Sequence, residues 1–100
     1  MPILDKVILC EERGETSIFI DAEITADGTL QLSGQDLGTA PQEFWGDLDY
    51  EYWLVISADQ KDRVLLALLE KVYKGDRRAV SNFQEFLKER EIPARFHSWV

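Results

Sequence analysis

Ile18, Ile20, Ala22 and Ile24 alternate with Phe19, Asp21 and Glu23, and after Asp27-Gly28 the alternation resumes with Leu30 and Leu32 against Thr29, Gln31 and Ser33. Side chains two apart in a strand share a face, so this period of two predicts a strand over 16 to 25, a tight Asp-Gly turn, and a second strand from about residue 29. A chain carrying this pattern is bound to form an antiparallel sheet with one apolar face and one largely acidic face. The remaining segments have to complete that sheet or cover it.

Residues 3 to 12 are apolar on both faces, Ile3, Val7 and Leu9 against Leu4, Ile8 and Cys10, and read as a further strand, buried on both sides, that turns through Arg13-Gly14-Glu15. Residues 48 to 56 resume strand character, with Leu48, Tyr50, Tyr52, Leu54 and Ile56 on one side and Asp49, Glu51, Trp53 and Val55 on the other. Between them, residues 34 to 47 contain Gly34, Gly38, Pro41 and Gly46 without a clear period. That spacing predicts one long irregular connection, with a short helical turn near Gln42 to Trp45.

Ser57 and Gln60 have capping-box spacing, and Val64, Leu65, Leu68, Leu69 and Val72 follow at helical intervals. Lys71 and Lys74 suit a helix C-terminus, and Gly75 suits the left-handed residue that ends it. Asp76 is placed to cap a second helix with a stripe of Ala79 or Val80, Phe83, Phe86 and Leu87, stopped by Pro93. The tail, 94 to 100, alternates enough to be a short terminal strand. The expected architecture is therefore a single α+β domain over residues 1 to 100, an antiparallel meander of four to five strands with a two-helix hairpin packed on its apolar face.

Charge is segregated along this chain. Between Arg13 and Lys61 there are ten acids and no lysine or arginine, whereas residues 61 to 100 carry nine basic against six acidic residues. The net charge of −8 favours cationic partners and disfavours nucleic acid and anionic membrane. The basic residues of the helical end alternate with acids, as on a solvated surface. Cys10 is the only cysteine, so no intrachain disulfide holds the fold, which fits a reducing cytosol. Met1 to Cys10 is interrupted by Asp5 and Lys6 and does not read as a signal peptide, and no apolar run approaches a membrane span.

Asp47, Asp49 and Glu51 invite a metal reading through their two-residue spacing. On a strand, however, successive members stand roughly 6.6 Å apart, whereas one cation needs oxygens about 2.0 to 2.6 Å away. The run also lacks the glycine and terminal glutamate of a calcium loop. His97 has no oriented nucleophile or carboxylate of recognised spacing near it in sequence and reads as a surface residue; Cys10 reads as a structural thiol. No phosphate loop, nucleophile elbow, zinc spacing or dinucleotide fingerprint is present. No catalytic residue, metal ligand or cofactor is therefore assigned.

The aromatic residues of the acidic side carry more information. Phe19 and Trp53 fall on the side of Asp21, Glu23, Asp49 and Glu51, and Trp45 falls in the connection with Asp36 and Asp47. Rings supply contact area and carboxylates supply steering, so Phe19, Asp21, Glu23, Asp36, Trp45, Asp47, Asp49, Glu51 and Trp53 form a candidate surface for a basic, partly apolar protein. The commoner outcome in a small domain is that the long connection folds over this face and seals Phe19 and Trp53 as a second small core. Two other classes compete: a metal-assisted enzyme using Asp36, Asp47, Asp49 and His97, and a homo-oligomer joined through Trp53 and Val55 or through a terminal strand edge.

The run Ser33-Gly34-Gln35-Asp36-Leu37-Gly38, with Gly46-Asp47 and Asp49-Tyr50-Glu51-Tyr52, resembles a segment of small stand-alone bacterial proteins to which no function is assigned. The resemblance covers residues 30 to 56 and the Phe96 to Trp99 end. It implies a bacterial, cytosolic, single-domain protein and transfers no activity. In size and charge the chain is also similar to small acidic proteins that neutralise basic toxins, and an immunity-like inhibitor or a small regulatory subunit is the expected kind of molecule.

Overall fold

The computed structural model describes residues 3 to 38 and 49 to 99. Four strands, β1 (Ile3–Glu12), β2 (Thr16–Thr25), β3 (Leu30–Gly38) and β4 (Asp49–Ile56), form one antiparallel sheet in the order β1-β2-β3-β4. A 3-10 turn (Ala58–Gln60) leads into α1 (Lys61–Tyr73), and α2 (Ala79–Glu89) follows. The protein is thus α+β, a four-stranded meander followed by two helices. The chain divides into two compact units, Met1–Val64 and Leu65–Val100.

In the first unit the strands form where the sequence predicts them, although β1, expected to be buried on both sides, is an edge strand with Val7, Ile8 and Leu9 exposed. In the second half of β2 apolar residues meet their like across the ladder. Ala22 pairs with Leu32 and Ile24 with Leu30 on β3, and Leu32 pairs with Leu54 and Leu30 with Ile56 on β4. Asp27-Gly28 makes the β2–β3 turn. Gly28 N–H donates to the Thr25 carbonyl at 2.9 Å, and the Asp27 carboxylate accepts from the Thr25 hydroxyl and from Thr29 N–H. These donors hold the Asp27 pKa below the usual carboxylate value. Gly28 has φ +86, a left-handed conformation that a β-carbon disfavours, which is why glycine stands there. Lys61 Nζ donates to the Gly28 carbonyl at 3.0 Å and ties the start of α1 to this turn.

β3 runs further than its alternation suggests. Residues 34 to 38, expected to open the long connection, continue the strand, and 34 to 37 pair with both neighbours, Gly34 between Ile20 and Tyr52 and Gln35 between Phe19 and Glu51. The reason lies on the adjacent strand. The Tyr52 ring lies over Gly34 so closely that a β-carbon there would sit 2.1 Å from it, and Gly34 is the only buried residue among those described. Glycine in this strand makes room for a cross-strand aromatic residue. The helical turn expected near Gln42 to Trp45 lies outside the described residues.

In the second unit, α1 ends through Gly75 at φ +83, and Tyr73 at its end meets Phe83 of α2 edge-on with ring centroids 5.8 Å apart. Asp76, expected to cap the second helix directly, lies two residues before its N-cap position, Arg78, which makes no side-chain cap. The Asp76 carboxylate instead accepts from Arg78 N–H at 2.8 Å and from the Asn82 amide at 2.9 Å in the turn that leads into the helix, contacts that lower its pKa. Ser57 makes no side-chain cap. Its hydroxyl donates instead to Asp59 at 2.6 Å, because the chain first makes a 3-10 turn rather than entering the α-helix directly. α2 stops before Pro93: Ile92 N–H donates to the Leu87 carbonyl at 2.9 Å, and Glu91 takes the left-handed conformation. Residues 92 to 99 form no strand, so the expected fifth strand is replaced by an irregular tail without a ladder partner among the described residues.

Candidate functional site

The register sorts the candidate residues by face. Phe19 stands opposite Gln35, Gln35 opposite Glu51, Asp21 opposite Ser33, and Ser33 opposite Trp53. Residues directly opposite in a ladder share a face, so Phe19, Asp21, Glu23, Asp49, Glu51 and Trp53 lie together on one side of the sheet with Gln31, Ser33 and Gln35 between them. Phe19, Asp21, Ser33, Gly34, Gln35, Glu51 and Trp53 line a single open depression of about 210 Å³. Trp53 is 59% exposed and Phe19 half-buried, so the expected sealing of both rings into a second core is not what the structure shows for Trp53.

Asp36 belongs elsewhere. It stands opposite Ile18 and Tyr50 on the apolar face and accepts a hydrogen bond from the Tyr52 hydroxyl at 3.4 Å. A one-residue step along a strand moves a side chain to the other face, which is why Asp36 leaves the group that Gln35 joins. The same step separates Asp36 from Asp49, so these two carboxylates do not converge on one cation. Trp45 and Asp47 lie outside the described residues. His97 is exposed in the tail, and Cys10 is a free, half-buried thiol opposite Ile20. Among the described residues no group of three or more His, Cys, Asp or Glu side chains is placed to hold a metal ion.

The carboxylates of the acidic face are held mainly by amides. Gln35 Nε2 donates to Asp49 Oδ1 and to Glu51 Oε1, each at 3.3 Å, and Gln31 Nε2 donates to Glu23 Oε1 at 3.2 Å. Sequence reasoning misses these glutamines as site residues because a polar residue between two acids carries no mark of its own; only the register shows that one amide serves two carboxylates. Two cations reach the face from β1 and the first turn. Lys6 Nζ stands 3.4 Å from Asp21, and the Arg13 guanidinium lies 5.3 Å from the centre of the Phe19 ring. Among the described residues no lysine or arginine pairs with Glu23, Asp49 or Glu51. The face can therefore offer hydrogen-bond acceptors to ammonium and guanidinium groups and ring surface to the alkyl stems or planes that carry them.

Comparison of the chain with models of protein families, with curated proteins and with solved structures finds no match in any of the three. No helix among the described residues is long and apolar enough to cross a membrane.

Proposed function

We propose that the protein is a non-catalytic binding module whose acidic sheet face takes up a basic, partly apolar segment of another protein, as an immunity-like inhibitor or a small regulatory subunit does, in a bacterial cytosol. The observation that carries this reading is the meeting of Phe19, Asp21, Glu51 and Trp53 around one open depression. Arg13 over Phe19 and Lys6 on Asp21 are local examples of the chemistry invoked, since a guanidinium and an ammonium already rest on this surface. Glu23, Asp49 and Glu51 steer and pair with the incoming cations, while Trp53 and Phe19 anchor the apolar part. Asp36 drops out of the group because it faces the other way.

The test is affinity capture with the wild-type chain and with Glu51→Lys, followed by titration of the recovered partner across a salt series. Charge-steered association weakens as ionic strength rises, because exposed charges are screened beyond about 8 to 10 Å at physiological salt. Glu51→Lys is expected to reduce affinity at least tenfold, and Trp53→Ala to reduce it without altering the salt slope. Affinity indifferent to both salt and Glu51→Lys would remove the basis for the proposal.

A further inference from the structure

Phe19 already carries a cation. The Arg13 guanidinium lies 5.3 Å from the centre of its ring and donates at 2.8 Å to the carboxylate of Glu11, the residue directly opposite Phe19 on β1. An acid and a ring side by side thus hold one guanidinium between them. Both cations that lie over a ring among the described residues are arginines, the other being Arg90 over Phe86, whereas Lys6 meets a carboxylate, Asp21, and no ring. A guanidinium is a weakly hydrated plane that stacks on a ring while its edge donates to a carboxylate; an ammonium is a strongly hydrated point charge.

The same rung of the sheet runs from Phe19 through Gln35 to Glu51, and there the arrangement recurs without its cation. Glu51 stands between Asp49 and Trp53 on one face of β4, about 6.6 Å from each along the strand. Gln35 Nε2 donates to one oxygen of Asp49 and one of Glu51, so two carboxylates close on a single nitrogen, while no lysine or arginine of the described residues pairs with either. Trp53 is 59% exposed, carries the ring best suited to a cation, and lines the depression with Glu51.

We infer that this end of the depression selects arginine: the guanidinium of a partner protein's arginine lies over the Trp53 ring and donates to Glu51, its remaining N–H groups turned toward Asp49, as Arg13 lies over Phe19 and donates to Glu11. The inference rests on the proposed role of this face as a binding surface and adds the side chain that the surface prefers. Charge complementarity sets the sign of the occupant, since between Arg13 and Lys61 there are ten acids and no lysine or arginine. The exposed indole sets its shape. A guanidinium has five donors in one plane, enough to meet two carboxylates and still present a flat face to the ring, whereas the three donors of an ammonium leave no such face. Phe19 is not the selective ring, because Arg13 already covers it.

Two synthetic hexapeptides, acetyl-Arg-Gly-Arg-Gly-Arg-Gly-amide and its lysine counterpart, test the preference by calorimetric titration of the full chain at low salt. They carry equal charge, so steering alone binds them alike. The wild type is expected to bind the arginine peptide about threefold to tenfold more tightly than the lysine peptide. Trp53→Leu is expected to bring the arginine peptide down to the affinity of the lysine peptide, which itself changes by less than about twofold, and Trp53→Phe to keep part of the preference. Glu51→Gln is expected to weaken both peptides. Circular dichroism of the three variants checks that the sheet is intact. Equal affinity of the wild type for the two peptides, or a preference that survives Trp53→Leu undiminished, would overturn the inference and leave the acidic face standing as a binding surface. Failure of both peptides to bind at millimolar concentration would overturn the inference and that surface together.

Discussion

The two faces of the sheet are made from alternate residues of the same three strands, yet they are held in different ways. On one face Ala22, Leu32 and Leu54 form a rung of apolar contacts beside Ile24, Leu30 and Ile56, and Tyr52 covers Gly34 with Tyr50 5.3 Å away. On the other, Gln31 and Gln35 bridge carboxylates and Lys6 pairs with Asp21. The first set shields part of its apolar area from water, Ala22, Ile24, Leu30, Leu32 and Ile56 being half-buried while Leu54 stays exposed, and is insensitive to ionic strength. The second consists of exposed polar contacts, each worth about 0 to 1 kcal/mol. The sheet therefore keeps its stability on one side and leaves the other side free to be specialised, because acids and rings there can change at little cost to folding.

The most damaging change is expected at residue 32. Leu32→Asp puts a carboxylate into the apolar rung between Ala22 and Leu54, and thermal unfolding is expected to show a loss of about 2 to 3 kcal/mol. A loss of less than 1 kcal/mol would mean that the apolar face does not hold the sheet.

Gly34→Val is next. The new side chain occupies the space that the Tyr52 ring fills, so the ring must swing away and surrender its hydrogen bond to Asp36. The expected cost is about 1 to 3 kcal/mol, and it is expected to be strongly non-additive with Tyr52→Ala, since both remove the same contact. Additive costs would show that Gly34 serves some other purpose.

This pair marks the limit of what the sequence makes legible. β2 and β4 can be read from alternation because each displays its own apolar period, β1 from a run that is apolar on both faces, and the acidic composition of one sheet face follows from the period of β2 and β4. The second half of β3 cannot: Gly34-Gln35-Asp36-Leu37-Gly38 looks like a loop in isolation, and becomes strand because Tyr52, eighteen residues further on, supplies the side chain that Gly34 lacks. Asp36 reads as part of the acidic site for the same reason, since its face is undefined until the strand is known to continue. Alternation alone places Phe19 and Trp53 on the correct face, whereas the exposure of Trp53 depends on what covers that face, which no local pattern encodes.

A smaller effect separates the faces by pH. Burial, and then the neighbouring Asp36 charge, push the Tyr52 phenol above its ordinary value. The folded form therefore keeps its proton where the unfolded chain loses it. The associated stability is present in full below the unfolded pKa of about 10 and is lost as pH rises through the higher folded value. Tyr52→Phe is expected to remove this alkaline decline from a series of melting curves. If the decline persists unchanged in Tyr52→Phe, another group is responsible.

The smallest expected effect on stability is at Ser33, the chain neighbour of Leu32 that points the other way. It stands between Asp21 and Trp53 on the floor of the depression. Ser33→Lys brings an ammonium to Asp21 across the ladder and fills the space that an incoming cation would use. Stability is expected to stay within about 0.5 kcal/mol of wild type, since the site is solvated and the new pair is favourable. Capture of a basic partner is expected to be lost, because the face then carries its own cation and no longer has room for another. Retained stability with retained capture would place the binding surface away from this depression, whereas a stability loss comparable to that of Leu32→Asp would show that folding depends on the acidic face no less than on the apolar one.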